Sequence, residues 1–111
     1  MDRLKRGDLV LVALPGDYGK PRPALVLQSD LFLATHPSVT VLPITSEIRH
    51  APLFRITVDP SRSNGLRKVS QIMVDKPMTF RRDKIGPPIG RLDDDLLIRV
   101  NRAVILWMGI A

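Results

Sequence analysis

Gly19-Lys20-Pro21-Arg22-Pro23-Ala24-Leu25-Val26-Leu27-Gln28-Ser29-Asp30 is the stretch on which the fold turns. It starts as a stiff cationic loop and runs directly into an apolar strand. Pro21 and Pro23 fix φ on either side of Arg22, and each steers the residue before it away from the helical region. Arg22 is thereby held extended. Ala24 to Leu27 is an unbroken apolar run of strand length, the pattern of a strand buried on both faces. An arginine pinned at the mouth of such a strand is placed to grip phosphate, because its planar guanidinium is always charged and binds bidentately. Lys20 and Arg22 also read as ordinary solvated loop charges.

Composition narrows the rest. A chain of 111 residues suits one domain, 1–111, able to bury a core without disulfides or metal. There is no Cys, which excludes disulfides, thiolate zinc sites and cysteine nucleophiles, and fits a reducing cytoplasm as the expected location. The 2 histidines, His36 and His50, are too few for a histidine-rich metal site. Met1-Asp2-Arg3-Leu4-Lys5-Arg6 leads into no signal-peptide-like apolar region. No apolar run reaches the ~18 residues a bilayer span needs, so no membrane association is expected. The formal charge of +6, from 17 Lys+Arg against 11 Asp+Glu, favours an anionic partner, with nucleic acid the first candidate. An acidic protein would satisfy the charge equally.

Working outward from Arg22, Gly7-Asp8 is a turn and Leu9 to Leu14 a central strand. Pro15-Gly16-Asp17-Tyr18-Gly19-Lys20 links the two strands. Leu31 to Ala34 is long enough for one helical turn. Val39 to Ile44 is a third strand, in which Pro43 marks an edge or a bulge. Leu53 to Val58 alternates apolar and polar, as a half-exposed strand does. Ser63-Asn64-Gly65 is a turn, Lys68 to Val74 a further strand, and Met78-Thr79-Phe80 a short one. Ile85-Gly86-Pro87-Pro88-Ile89-Gly90 reads as a rigid connector.

From Asp93 the period changes. Asp93 suits an N-cap, Asp94 and Asp95 suit the positive end of a helix dipole, and Gly109 suits a C-terminal cap. Leu96, Leu97, Val100, Ala103, Val104, Trp107 and Met108 form one helical stripe, with Ile98, Ile105 and Leu106 off it. A helix apolar over so wide an arc sits unusually deep or meets a second subunit. The expected fold class is mainly β: antiparallel strands in a small barrel or strongly bent sheet, closed by one C-terminal helix.

No nucleophile elbow, P-loop, dinucleotide-binding glycine pattern or zinc signature is present. What remains is polar residues at strand ends: Arg22 opening one strand, Thr45 and Ser46 closing another, and Ser70, Gln71 and Asp75 on or after a later one. Arg6-Gly7-Asp8, Lys20 to Leu27, Leu42-Pro43-Ile44-Thr45-Ser46, Asn64-Gly65-Leu66, Ser70 to Lys76, Lys84-Ile85-Gly86 and Ile89-Gly90-Arg91-Leu92 follow in that order. In this the chain strongly resembles the PemK/MazF family of toxin–antitoxin toxins over nearly its whole length.

The resemblance implies a compact SH3-like barrel with a C-terminal helix, acting as a homodimer. It also implies a metal-independent endoribonuclease without cofactor, which cuts single-stranded RNA at short sequences and is inhibited by a cognate antitoxin. The family's catalytic Arg falls on Arg22 and its catalytic Thr on Thr45. In such chemistry the RNA 2′-OH attacks its own adjacent phosphate, so the enzyme supplies stabilisation of phosphate charge and no nucleophile. Asp17 stands where some relatives carry a functional acid, and Asp75 matches an aspartate that some use near RNA. Met73 replaces an Arg proposed elsewhere as general acid, which leaves Arg22 with more than one task. Lys20, Ser46, Ser70 and Gln71 are further candidates to touch RNA, and Tyr18 is placed to stack on a base. Ser70 and Gln71 otherwise read as strand residues facing water, and Asp17 and Asp75 as turn formers.

Two other readings account for parts of the chain. CcdB-type toxins, which poison DNA gyrase, are similar in Gln28-Ser29-Asp30, around Ile85-Gly86 and in the C-terminal Trp107-Met108-Gly109-Ile110, although one residue intervenes between Trp and Gly here. A non-catalytic nucleic-acid-binding barrel explains the charge alone.

Overall fold

The opening stretch becomes the middle of a sheet. The computed structural model describes residues 3–110. Its strands are β1 (Asp8–Ala13), β2 (Pro21–Val26), β3 (Ser38–Thr45), β4 (Arg55–Val58), β5 (Ser70–Met73), β6 (Met78–Arg81) and β7 (Pro88–Arg91). A one-turn helix α1 (Asp30–Leu33) follows β2, and α2 (Asp94–Met108) ends the fold. The strands pair antiparallel in the order β4-β5-β3-β2-β1-β7, with β6 on the first half of β3. The result is a curled half-barrel backed by one helix, as the mainly β reading expects.

Burial on both faces of β2 follows its alternation. Leu25 joins Leu9, Leu42, Ile44, Ile56, Ile72 and Leu92 in a core covered by Val100 and Ala103 of α2. Ala24 and Val26 point the other way, into a second core with Val10, Val12, Leu33, Val39 and Val41. All three β2 residues are fully buried. The strand begins at Pro21 and so takes in Arg22, which pairs with Val12 of β1.

Pro43 marks neither an edge nor a bulge. It is buried, pairs with Ala24, and lies in the strand at the centre of the sheet. The missing N–H is tolerated because β3 changes partner there, from β6 at Val41 to β5 at Ile44.

The stretch 85–90 also departs from expectation. It is no mere connector, since Pro88–Arg91 is the edge strand β7 on β1. The turn after β4 is latched onto this edge. Asn64 is buried, donates to the Asp59 carbonyl, and accepts from the backbone N–H groups of Ser61 and Leu66. Arg91 N donates to the Ser63 carbonyl at 2.7 Å. Gly65 has φ +73°, and a Cβ there would collide with the Ile89 carbonyl oxygen. The latch draws the two free edges of the sheet together.

In α2, Asp93 occupies the N-cap position without a side-chain cap bond, and Gly109 ends the helix in the left-handed region at φ 68°. Only Val100 and Ala103 are buried. The helix does not sit deep: Ile98, Ile105, Leu106, Trp107, Met108 and Ile110 are all exposed. Trp107 touches Phe54 with ring centroids 5.4 Å apart, yet stays 49% exposed.

Candidate active-site groove

Arg22 is placed by its strand and oriented by its loop. Gly16, Tyr18 and Gly19 all adopt positive φ, which turns the β1–β2 connection back on itself. The Asp17 N–H donates to the Leu14 carbonyl, and Lys20 N–H to that of Asp17. Asp17 is thus the turn former its neighbours imply, and it also faces the arginine: Arg22 Nε donates to Asp17 Oδ2 at 3.1 Å. The two Nη groups of Arg22 make no hydrogen bond among the described residues. A guanidinium held through Nε and open along its Nη edge is set to take an oxyanion.

Thr45 ends β3 opposite Gln71 of β5. Its Oγ1 accepts the backbone N–H of Glu47 at 3.1 Å. That bond fixes the oxygen and leaves its one O–H proton for another acceptor.

Arg22, Thr45, Asp17, Ser46 and Ser70 line one groove of about 800 Å³. Met73 lines it as well, with a thioether that carries no titratable proton. Ser70 is buried and its hydroxyl donates to the Lys68 carbonyl. Neither Ser70 nor Gln71 faces water. Gln71 is buried behind the groove, where Nε2 donates to the Arg49 carbonyl and Oε1 accepts the Arg49 N–H. It is spent on holding the β3–β4 loop. Tyr18 is fully exposed on the β1–β2 loop and covers no core edge, and Lys20 is exposed beside it. Neither lines the groove. Asp75 lies in the turn after β5, away from the groove, with one buried oxygen unpartnered and Lys76 4.0 Å from the other.

Three groove residues escaped the sequence reading: Glu47, Arg67 and Lys68. Arg67 and Lys68 stand on the wall that the Asn64–Gly65 latch positions, and a basic pair straight after an Asn-Gly turn was the available signal. Glu47 is the one acid beyond Asp17 in a lining otherwise cationic, neutral polar or apolar. The Arg49 guanidinium, hydrogen-bonded to it at 2.9 Å, holds the Glu47 carboxyl below the usual carboxylate range. Among the described residues, no group of three or more His, Cys, Asp or Glu side chains is arranged to hold a metal ion.

Similarity in sequence and in fold points to one family. The family of PemK-like, MazF-like toxins of type II toxin–antitoxin systems matches residues 5–108. The chain is 43% identical over 109 residues to a "Probable endoribonuclease MazF" of Mycolicibacterium smegmatis, across 97% of this chain and 99% of that one. A mycobacterial endoribonuclease in complex with its cognate antitoxin shares the fold, with a TM-score of 0.82 at 18% identity and 97% coverage of both chains. The Mycobacterium tuberculosis toxin MazF-mt6 superposes with a TM-score of 0.79 at 25% identity, covering 92% of this chain and 96% of its own. By the extent of these matches and by its curled sheet and helix, the chain belongs to the PemK-like, MazF-like toxins of type II toxin–antitoxin systems.

Proposed function

We propose that this protein is the endoribonuclease toxin of such a pair, acting on single-stranded RNA with Arg22 and Thr45 as its catalytic residues. The observation that carries the reading is the convergence, in one groove, of an arginine open along its Nη edge and a threonine with an uncommitted O–H. The RNA 2′-OH attacks the adjacent phosphorus. The O2′–P bond forms, the P–O5′ bond breaks with the departing O5′ taking a proton from water, and a 2′,3′-cyclic phosphate and a 5′-OH result. Arg22 and Thr45 donate to the phosphate oxygens as their charge grows, which is where donors accelerate most. Asp17 holds Arg22 through Oδ2, and its Oδ1 takes the 2′-OH proton. Arg67 and Lys68 attract the strand, while Tyr18 and Lys20 on the loop rim and Ser46 on the wall contact flanking nucleotides. No metal or cofactor enters this scheme.

The remaining assignments rest on the same reading. The whole chain, 1–111, acts as a single toxin domain in the cytoplasm. A cognate antitoxin covers the groove; the mycobacterial endoribonuclease that shares this fold is in complex with its own cognate antitoxin. The toxin pairs with a second copy through the exposed apolar residues of α2, Leu106, Trp107 and Met108. Light scattering on the purified protein gives the subunit count directly.

The decisive experiment is cleavage of long single-stranded RNA in EDTA, with Arg22→Ala alongside. Discrete cuts ending in cyclic phosphate, absent from the variant, are expected. Intact RNA after incubation with folded wild type overturns the reading.

A further inference from the structure

The β3–β4 loop has a second cavity on its far side. A cleft of about 130 Å³ is lined by Arg49, His50, Arg55, Thr57, Gln71 and Arg99, among others, and by no acid. Its floor is rigid. Gln71 Nε2 reaches the Arg49 carbonyl at 2.9 Å and Thr57 Oγ1 at 3.3 Å. Arg55 Nη1 donates to the Glu47 carbonyl at 2.9 Å and to Gln71 Oε1 at 3.3 Å. Both acceptors are neutral groups, so neither bond is an ion pair. Arg99 forms no ion pair among the described residues, although Asp95 stands one turn before it on α2. The one carboxylate that faces these guanidiniums is Glu47, paired with Arg49 at 2.9 Å and within electrostatic reach of Arg55, and it is on the groove wall. Guanidiniums gathered around a cleft without an acid repel one another until an anion enters.

We propose that this cleft is a second oxyanion site, which receives a phosphodiester of the RNA strand beyond the cut. The inference rests on the endoribonuclease reading. Its volume is about four water molecules' share of liquid at ~30 Å³ each, which suits an oxyanion better than a folded peptide. Continuity with the groove favours RNA. Glu47 lines the groove and Arg49 lines the cleft, and the chain between them spans at most ~7 Å. That is the scale of one nucleotide step.

The test uses two oligoribonucleotides built on a mapped cut site, each with a 2′-deoxy nucleotide at the cut. One fills the groove only; the other is extended by several nucleotides. Binding is followed by anisotropy against salt for wild type and Arg99→Ala, a change on the exposed face of α2. The variant's salt slope on the long RNA is expected to fall by about 0.7, the value for one phosphate on a single strand, with the short RNA unaffected. Equal effects on both lengths, or none, overturn the proposal. Inorganic phosphate titrated against the imidazole NMR signals gives a readout independent of RNA. A saturable shift at His50 and not at His36, lost in Arg99→Ala, supports the site. No shift at His50 overturns it, and RNA left uncut and unbound while His50 still responds would count against the endoribonuclease reading alone.

Discussion

Replacing Arg22 with lysine keeps the charge and removes the fork. In the folded protein Arg22 spends Nε on Asp17 at 3.1 Å and leaves its Nη edge without a hydrogen bond among the described residues. A lysine ammonium is a single point on a flexible stem, so it serves either Asp17 or the phosphate, without fixed geometry. Losing one preorganised donor at a transition-state oxygen costs about 10²–10³ in rate, or ~2.7–4 kcal/mol. Lysine retains part of the electrostatic attraction, so the expected loss is near the lower bound, about 10²-fold. The fold should hardly notice. The ion-paired side chains are 40% and 29% exposed, and pairs of that kind are worth at most ~1 kcal/mol. The assay is single-turnover cleavage of a mapped oligonucleotide, with thermal unfolding measured on the same preparation. A loss below about threefold, ~0.7 kcal/mol on the barrier, would refute the role given to the fork. So would a large fall in stability accompanying the fall in rate.

Thr45→Val removes the donor to phosphate and the acceptor that anchors Glu47 N–H; single-turnover cleavage should fall by about 10²-fold, with Thr45→Ser retaining most of the rate. Gly65→Ala puts a Cβ into the Ile89 carbonyl at a left-handed position, and urea unfolding should show a loss of about 2–3 kcal/mol, together with a raised KM as Arg67 and Lys68 shift. Arg49→Ala should move the Glu47 carboxyl back up into the ordinary carboxylate range, as read by carbon-13 NMR. Because the folded pKa is depressed, the pair's stabilising effect is present above the unfolded-state pKa and lost as pH falls through the folded one; the stability difference between wild type and variant should therefore narrow on acidification.

The parts legible in the sequence were those written in local chemistry. Pro21-Arg22-Pro23 with the apolar run behind it named a buried strand, and the structure buries Ala24, Leu25 and Val26 completely. The period change at Asp93 and the glycine at 109 bracketed α2. The parts that escaped depend on neighbours far along the chain. Pro88 opens an edge strand, where a missing N–H costs nothing, and only β1 beside it makes the segment a strand at all. Gln71 looked like a polar residue facing water until the β3–β4 loop folded over it. Arg67 drew no reading and Lys68 read only as the start of a strand, because it is the Asn64 latch that sets both on the groove. The exposed stripe on α2 was visible as a surplus of apolar residues, but which of them face outward was not.

These differences follow how the site is built. Arg22 and Thr45 stand on strands, Arg22 paired with Val12 and Thr45 with Gln71, and the core residues beside them, Ala24 and Ile44, are at most 3% exposed. Any movement of either side chain drags part of a packed sheet with it, and interiors at that density resist even a methylene's change. On the mechanism proposed above, the groups that must meet a transition state to within a fraction of an ångström are therefore the ones the core fixes. Asp17, Ser46, Glu47, Arg67 and Lys68 stand on connections instead, outside the strand ladders, where a substitution nearby leaves the sheet pairing intact. Chemistry common to every RNA sequence belongs on the rigid strands, and discrimination among sequences belongs on the connections, where it changes without loss of the fold. A chimera carrying the β3–β4 loop of a relative should on this argument cut at a new sequence at an undiminished maximal rate, whereas any shift in the register of β2 on β3 should abolish cutting at all sequences alike.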